Sequence, residues 1–199
     1  MSATATITPV AAQSIFRDAH TAYRFTAEPV SDEQLVAIYD LARFTPTALN
    51  SQPLRVTFVR TPAAKARLLP LLRETNREKS ASAPVVAILA ADTDFHEFLP
   101  RVAPQTTGAR DRFAANEAGR TAMAINNAWL QAGGFILAVR AIGPDAGPMG
   151  GIDAAAIDAE FFAGSSLRTF LVVNIGRVAE GGQSPRNPRL GFEEAVALV

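Results

Sequence analysis

The stretch GPMGGIDAAAIDAEF, residues 147–161, combines a glycine-rich segment with the beginning of a helix. Glycine permits positive φ and close approach to the backbone, so a flat ring could rest on residues 147–151 with a backbone N–H directed at it. A simple turn that enters a helix explains the same residues. We predict a turn region at residues 142–151, followed by a short helix at residues 153–162 with Asp153 as its N-cap.

Hydrophobic periodicity on either side of this stretch predicts a mixed order of helices and strands. Ser31 and Gln34 form a capping box before an apolar face of period 3.6. An unbroken apolar run at residues 85–90 indicates a strand buried on both faces. The remaining predicted elements are helices at residues 11–19, 31–44, 61–72 and 111–142, strands at 54–58 and 170–175, a short helix and surface loop at 94–108, a loop at 179–188 and a last amphipathic turn or two at 192–198.

Composition and charge exclude several classes of function. Nineteen basic and nineteen acidic residues cancel, so no charge excess favours a nucleic-acid or anionic-membrane partner. Cysteine is absent, which excludes disulfides, thiolate metal sites and a cysteine nucleophile. His20 and His96 are far apart, and we expect no metal site. The longest apolar run, near residues 84–91, is too short to span a membrane, and the N-terminus lacks a secretory signal, so we expect a cytoplasmic protein.

The usual sequence motifs of several enzyme classes are also missing. The chain contains no G-x-S-x-G nucleophile elbow, no phosphate-binding P-loop and no G-x-G-x-x-G dinucleotide motif. If the protein is a redox enzyme, it therefore does not hold its dinucleotide on a Rossmann fold.

Two adjacent glycines, Gly133 and Gly134, interrupt the long predicted helix at residues 111–142. Each glycine in a helix costs on the order of 1 kcal/mol relative to alanine. The pair indicates either a break in the helix or close packing of another backbone, as at a helix–helix dimer seam. We favour close packing because the apolar pattern resumes at once with Phe135.

Three further segments have the composition of binding loops. The first, His20-Thr21-Ala22-Tyr23-Arg24, could hold a phosphate through its arginine, or it is a solvated loop between helices. The second, TPTALNSQP at residues 45–53, is rich in hydroxyl and amide groups that suit the polar edges of a flavin, although its composition equally favours a proline turn. The third, residues 186–189, carries two arginines that suit a phosphate monoester, or it is a solvated basic loop.

Together, these segments resemble the nitroreductase family in order and spacing over nearly the whole chain. The polar loop at residues 45–53 and the stretch at residues 147–161 carry most of the resemblance. The segments PVSDEQLVAIYDLARFTPT, AIGPDAGPMGG, FFAGSSL, VNIG and PRLGFEEA are most similar to the bacterial pyrimidine-utilisation branch, the malonic semialdehyde reductases. One short motif alone would be weak support, whereas a collinear set is strong.

The resemblance implies a single α+β domain over residues 1–199, with a central, mostly antiparallel sheet flanked by helices. It implies an intertwined homodimer with FMN at the interface and NADH or NADPH as the electron donor. The flavin N5 would carry the hydride in a ping-pong cycle, without a dedicated catalytic side chain. The acceptor would be malonic semialdehyde, reduced to 3-hydroxypropanoate. Alternatives are a general nitroreductase or quinone reductase, and a scaffold that binds flavin without catalysis, since His20, Ala48 and Gly150 depart from the family pattern.

The resemblance also assigns the binding residues, none of which ligates a metal. Arg186 and Arg189 would bind the FMN phosphate, and Arg24 would contact that phosphate or the ribityl oxygens near it. Asn76 and Lys79 would hold the pyrimidine edge, and the Gly150 N–H would lie near flavin N5. The full expected set is His20, Thr21, Arg24, Asn76, Lys79, Pro148, Met149, Gly150, Gly151, Arg186 and Arg189 from one subunit, and Pro46, Thr47 and Asn50 from its partner.

Overall fold

A four-stranded antiparallel sheet forms the centre of the computed structural model, which describes residues 7–199. Its strands are β1 (Leu54–Val59), β2 (Val85–Asp92), β3 (Asp145–Met149) and β4 (Leu167–Gly176), in the order β1-β2-β4-β3. The α+β class and the antiparallel sheet are therefore confirmed. Residues 1–6 of the N-terminus that we assessed for a secretory signal lie outside the described range.

Helices surround this sheet. The capping box of Ser31 and Gln34 begins α2 as predicted, and Thr61 caps α3 with Pro62 in its first turn. Asp153 caps α8 by accepting a hydrogen bond from the Ala156 N–H. The α-helices are α1 (Pro9–Ala12), α2 (Asp32–Ala42), α3 (Pro62–Leu68), α4 (Glu74–Ser82), α5 (Leu99–Val102), α6 (Ala109–Ala114), α7 (Glu117–Ile142), α8 (Ala154–Phe161) and α9 (Phe192–Ala195); a π-helix spans Gln13–Arg17, and 3-10 turns span Ala48–Asn50, Leu69–Leu71 and Phe95–Phe98.

Strand β2 is buried at every position, as its unbroken apolar run predicted. Because side chains alternate along a strand, β2 contributes to two cores. Ala87 and Leu89 pack with residues of α2 and α7 on one face, and Val86 and Ile88 pack toward α3 and α8 on the other. Apolar side chains pack against both faces of the sheet. Strand β3 lies at its edge, where it can line a binding site.

Two local predictions were wrong. Residues 145–149, predicted as a turn, form the edge strand β3, with Gly147 opposite Asn174 of β4. Glycine and proline are poor strand residues, and Pro148 is tolerated because the strand lies at the sheet edge. The helix predicted at residues 111–142 is two helices, and Asn116 caps the second. The short helix and surface loop predicted at residues 94–108 are present, as α5 and the exposed residues that follow it, although Leu99 of α5 is buried.

The paired glycines do not break α7. A Cβ built on Gly134 would lie 1.9 Å from Thr45 Oγ1, whereas a Cβ on Gly133 would meet nothing within 4 Å. Gly134 therefore serves close packing within the chain. The dimer seam at this pair stays a prediction.

Helix α7 is long and apolar enough, by length and composition alone, to cross a membrane. In this fold it is instead the central core helix. Its side chains Ala132, Phe135 and Val139 are buried in the same core as β2 and β4. This packing accounts for part of its apolar character, since Trp129 and Leu130 on the same helix are exposed.

Candidate functional site

A basic cavity of about 700 Å³ lies beside the end of β3. It is bounded by the segment after the π-helix, by one face of α4 and by the loop before α9. The cavity brings together ten of the predicted binding residues, which are His20, Thr21, Asn76, Lys79, Pro148, Met149, Gly150, Gly151, Arg186 and Arg189. Segments that are distant in sequence thus converge on one volume, which is in the size range of a small-molecule site.

Edge strand β3 forms one wall because the chain near Ala22 packs directly onto it. The Ala22 N–H donates to the Ala146 carbonyl at 3.1 Å. A Cβ on Gly147 would lie only 2.3 Å from the Ala22 carbonyl oxygen, so this contact requires glycine. The glycine places His20 and Thr21 beside the cavity.

Helix α4 supplies Asn76 and Lys79 from the same face. The buried Asn76 side chain donates to the Gly151 carbonyl at 3.0 Å, and the Arg73 N–H donates to the same oxygen at 3.0 Å. A Cβ on Gly151 would lie 2.5 Å from Asn76 Nδ2. Glycine at this position therefore holds α4 and residues 148–151 in contact.

The loop at residues 184–189 is tied to the segment after the π-helix. Arg186 donates to the carbonyls of Arg17 and, at 2.8 Å, of Ala19. His20 Nδ1 lies 3.0 Å from the Ser184 carbonyl oxygen. These bonds fix the position of Arg186 at the cavity, while Arg189 bonds carbonyls of its own loop.

Arg140, which the sequence analysis missed, also lines the cavity. Its Nη1 donates to the Ile15 carbonyl at 3.3 Å, and its buried Nε has no hydrogen-bond partner within residues 7–199. Burial lowers the pKa of Arg140, the charge of Arg186 lowers it further, and Asp145 opposes both effects. A basic residue in the last turn of the long helix was the available signal, but that position is favourable on any helix.

The cavity has the charge of an anion site. Lys79, Arg140, Arg186 and Arg189 line it, and none of its described lining residues is acidic. Arginine binds phosphate oxygens with paired N–H donors, and the unpartnered Arg140 Nε is a donor that lacks its acceptor. The donor set suits a phosphate monoester.

Four predicted residues do not line this cavity in the single chain. Arg24 instead donates to the Glu180 carbonyl. Within the polar loop, Thr47 Oγ1 accepts from the Gln52 N–H, and Asn50 Nδ2 donates to the Val102 carbonyl at 2.8 Å. Pro46 belongs to the same loop and is likewise absent from the lining. Contact of Pro46, Thr47 and Asn50 with the cavity would require a second subunit.

Backbone strain is concentrated in this polar loop. Leu49, Asn50 and Gln52 have φ of 55°, 52° and 43°, and they are the non-glycine residues with positive φ in the described range. Such conformations cost roughly 1–3 kcal/mol each and are common in segments that serve binding. As for metals, residues 7–199 bring no group of three or more His, Asp or Glu side chains together as a metal site would need.

The family model described as "Nitroreductase family" matches residues 17–177. The chain belongs to the nitroreductase family. A Leptothrix cholodnii protein with the provisional name NADH dehydrogenase/NAD(P)H nitroreductase is 50% identical over 190 residues, covering 96% of each chain. A Streptomyces coelicolor protein with a similar provisional name is 53% identical over 186 residues, covering 94% of this chain and 92% of its own.

A solved structure from Exiguobacterium sibiricum, provisionally named a nitroreductase and determined in complex with FMN, has the same fold. Its TM-score is 0.81 at 18% identity, and the match covers 100% of both chains. The nitroreductase fold predicted from the sequence is confirmed by this match and by the family model.

Proposed function

We propose that this nitroreductase-family protein binds FMN in the basic cavity and catalyses NAD(P)H-dependent reduction of a small acceptor. The observation that carries the proposal is the convergence of four basic side chains with a glycine-rich edge strand around about 700 Å³. When bound, FMN would take reducing equivalents from a nicotinamide dinucleotide and pass them to the acceptor. This role agrees with the names of the close relatives.

Each wall of the cavity matches a different part of FMN. Arg186 and Arg189 would bind the phosphate, and Arg140 would join them through the charge of its guanidinium. Asn76 and Lys79 would hold the polar pyrimidine edge, where the ammonium group favours negative charge in the reduced cofactor. Residues 148–151 would support the ring, with Met149 and the glycine backbone against it. His20 and Thr21 would contact the ribityl chain or the phosphate.

The site needs a second copy of the chain to be complete. Pro46, Thr47 and Asn50 do not reach the basic cavity of their own chain, and we propose that they reach the cavity of the partner in a homodimer. The role first assigned to Arg24 would then be limited to holding the Glu180 backbone, because its guanidinium is engaged there.

For the acceptor, we propose malonic semialdehyde, whose aldehyde carbon would gain a hydride and whose oxygen would gain a proton. The resemblance of the chain to the malonic semialdehyde reductases supports this choice. Nitroaromatics or quinones are the second candidate, favoured by the names of the relatives. A location in the cytoplasm stays a prediction.

Turnover assays with both acceptors test the proposal. Purified protein should take up FMN and show flavin absorption. Under anaerobic conditions the loaded protein should oxidise NADH or NADPH and then reduce malonic semialdehyde. Turnover of a nitroaromatic alone would leave the oxidoreductase proposal standing and refute the aldehyde, and a protein that remains colourless in saturating FMN would refute the whole proposal.

Arg186→Ala/Arg189→Ala provides the structural test. The double variant should lose affinity for FMN by tenfold or more, since two charge-assisted bonds to phosphate are removed. Its affinity for riboflavin, which lacks the phosphate, should change little. An equal loss for both flavins would show that the loop does not recognise phosphate.

A further inference from the structure

A second cavity, of about 460 Å³, lies between the end of α2, the beginning of β1 and helix α5. We call it the arginine pocket because Arg43, Arg55 and Arg101 line it. None of its described lining residues is acidic, and the exposed ring of Phe98 adds apolar surface. It shares no lining residue with the basic cavity.

The three arginines differ in how far their charge is already compensated. Arg55 bonds the buried carboxylate of Asp92 at 2.7 Å, and Arg43 lies 3.6 Å from the Asp40 carboxylate. Arg101 is exposed and has no ion pair within residues 7–199. It therefore offers the pocket's uncompensated positive charge.

An aromatic surface accompanies this charge. Phe98 is 40% exposed, and the guanidinium carbons of Arg55 and Arg101 lie 5.1 and 5.5 Å from its ring centroid. Stacking on a ring leaves the N–H groups of Arg101 free to bind a ligand. The pocket thus pairs a cationic donor with a flat apolar surface.

Ser51 contributes a second unsatisfied polar group. It is 2% exposed, lines the arginine pocket, and its buried hydroxyl has no hydrogen-bond partner within the described chain. A buried hydroxyl without a partner costs roughly 1–3 kcal/mol. A bound ligand with acceptor oxygens would bind Arg101 directly, and it would reach the Ser51 hydroxyl only after the side chains that cover this hydroxyl move.

The pocket is connected to the loop that we propose to reach the partner's cofactor. Asn50 Nδ2 donates to the Val102 carbonyl at 2.8 Å, so the polar loop and α5 are held together. Ser51 and Gln52, which line the pocket, follow Asn50 directly, and Gln52 keeps a strained φ of 43°. The polar loop therefore lies directly beside the helix that carries Arg101.

We propose that the arginine pocket binds the anionic, non-reacting end of a redox substrate whose other end reaches the partner subunit's basic cavity. The shared chemistry is an anion next to a flat or apolar group, and it has two sources. One is the phosphate-bearing adenosine half of the dinucleotide, and the other is the carboxylate of an acid acceptor. This inference rests on the proposed FMN-dependent function and dimer.

Binding to the FMN-loaded protein provides the first test. Calorimetric titration uses ADP-ribose as the probe for the dinucleotide and malonate as the probe for the acid acceptor. Arg101→Ala should weaken binding of one probe by about tenfold or more, the effect of removing one charge-assisted bond. Arg101→Lys, which keeps the charge but not the forked geometry, should recover part of the affinity. The probe that responds identifies the source of the anion.

Arg112→Ala is the matched control, because Arg112 is also exposed, also lies 5.5 Å from the centroid of a neighbouring ring, Phe113, and lines neither cavity. It should bind both probes as the unmodified protein does. The inference is overturned if neither probe binds the unmodified protein, or if the Arg101 and Arg112 variants bind them alike.

Kinetics of the separate half-reactions distinguish this inference from the proposed function. In anaerobic stopped-flow experiments, Arg101→Ala should raise the apparent Kd of NADPH or the KM of malonic semialdehyde, and leave the KM of a neutral quinone unchanged. An unmodified protein that reduces no acceptor would refute the proposed function. An active protein in which the variant affects the neutral quinone as strongly as the anionic substrates would refute the arginine pocket alone.

Discussion

Arg140 and Arg186 both line the basic cavity, and the pKa of Arg140 is lowered first by burial and then by the positive charge of Arg186. Each is anchored to the N-terminal segment, Arg140 through the Ile15 carbonyl at 3.3 Å and Arg186 through the Ala19 carbonyl at 2.8 Å. Two guanidinium groups held close together repel each other, and an anion between them would attract both and offset that repulsion. The pair is thus arranged to favour a doubly charged group such as phosphate.

Replacement of Arg140 should therefore impair phosphate recognition. Arg140→Ala is expected to weaken FMN binding about tenfold, because one charge-assisted hydrogen bond is lost. The affinity for riboflavin should remain within about twofold. Flavin fluorescence titration of the apoprotein measures both, and Arg140→Lys serves as the charge-retaining control. A loss that is equal for the two flavins would mean that Arg140 only positions the Ile15 segment.

Gly150 and Gly151 provide a matched pair of glycine substitutions. A Cβ at Gly151 would lie 2.5 Å from Asn76 Nδ2, whereas a Cβ at Gly150 would meet nothing within 4 Å. Gly151→Ala should displace the buried Asn76 side chain and lower the free energy of unfolding by about 1–3 kcal/mol. Gly150→Ala should change it by less than about 0.5 kcal/mol. Urea unfolding of the two apoproteins checks this, and equal stabilities would show that the Asn76 contact yields without cost.

Much of the fold was predictable because local signals and tertiary packing agree. Ser31 with Gln34, Thr61 with Pro62, and Asp153 begin their helices as the sequence predicted. The apolar run of β2 is buried along its whole length. In these places a short stretch of sequence is sufficient to predict both the local secondary structure and the burial of its side chains.

Where the prediction failed, the deciding interaction comes from another part of the chain. Gly147 and Pro148 lie in a strand only because β4 offers a free edge, and local propensity opposes it. Arg140 belongs to the site because the N-terminal segment and the loop at residues 184–189 converge on it. The proposed placement of Thr47 and Asn50 at the cofactor would depend on a second subunit, which no periodicity within one chain can reveal. The family resemblance indicated ten of the residues that line the cavity, whereas the position of Arg140 follows only from the fold.

The glycine pair in α7 allows a test of the predicted dimer seam. Gly133→Ala should stabilise the isolated chain by about 0.5–1 kcal/mol through helix propensity, since a Cβ there meets nothing within 4 Å. If the partner subunit packs against Gly133, the same substitution should instead raise the dimer dissociation constant. Analytical ultracentrifugation and urea unfolding at two protein concentrations separate these results. A gain in stability with unchanged dissociation would place the seam elsewhere.

Gly134 should respond in the opposite direction. Its added Cβ would lie 1.9 Å from Thr45 Oγ1 and 3.0 Å from Thr45 Cβ, so rotation of the threonine would relieve the first contact and leave the second, which is tighter than ordinary van der Waals contact. Gly134→Ala is expected to cost about 1–3 kcal/mol in free energy of unfolding. Thr45→Ala in the same chain should recover part of that cost, and the coupling energy of the double-mutant cycle measures the contact. Additive effects would mean that α7 and the polar loop move apart, so that the added Cβ no longer contacts Thr45.

Asp92 should be more important for stability than the surface carboxylates. Its side chain is 7% exposed, and it accepts hydrogen bonds from Arg55 at 2.7 Å, from the Ser166 hydroxyl at 2.6 Å and from the Asp94 N–H at 2.9 Å. Asp92→Asn removes the counter-ion of the half-buried Arg55 and replaces one acceptor oxygen with an amide NH2 group that faces other donors. The substitution should lower the free energy of unfolding by about 2–3 kcal/mol.

The matched control is Asp40→Asn, at an exposed pair 3.6 Å from Arg43, which should cost less than about 1 kcal/mol. The arginines of both pairs line the arginine pocket, so the two pairs share a location and differ in how deeply the carboxylate is buried. Because Arg55 would then be uncompensated, a folded Asp92→Asn protein should also bind the anionic probe of the arginine pocket more tightly. Equal stability losses at the two sites would show that Arg55 is as well solvated as Arg43. Unchanged anion affinity would show that its charge does not reach the pocket.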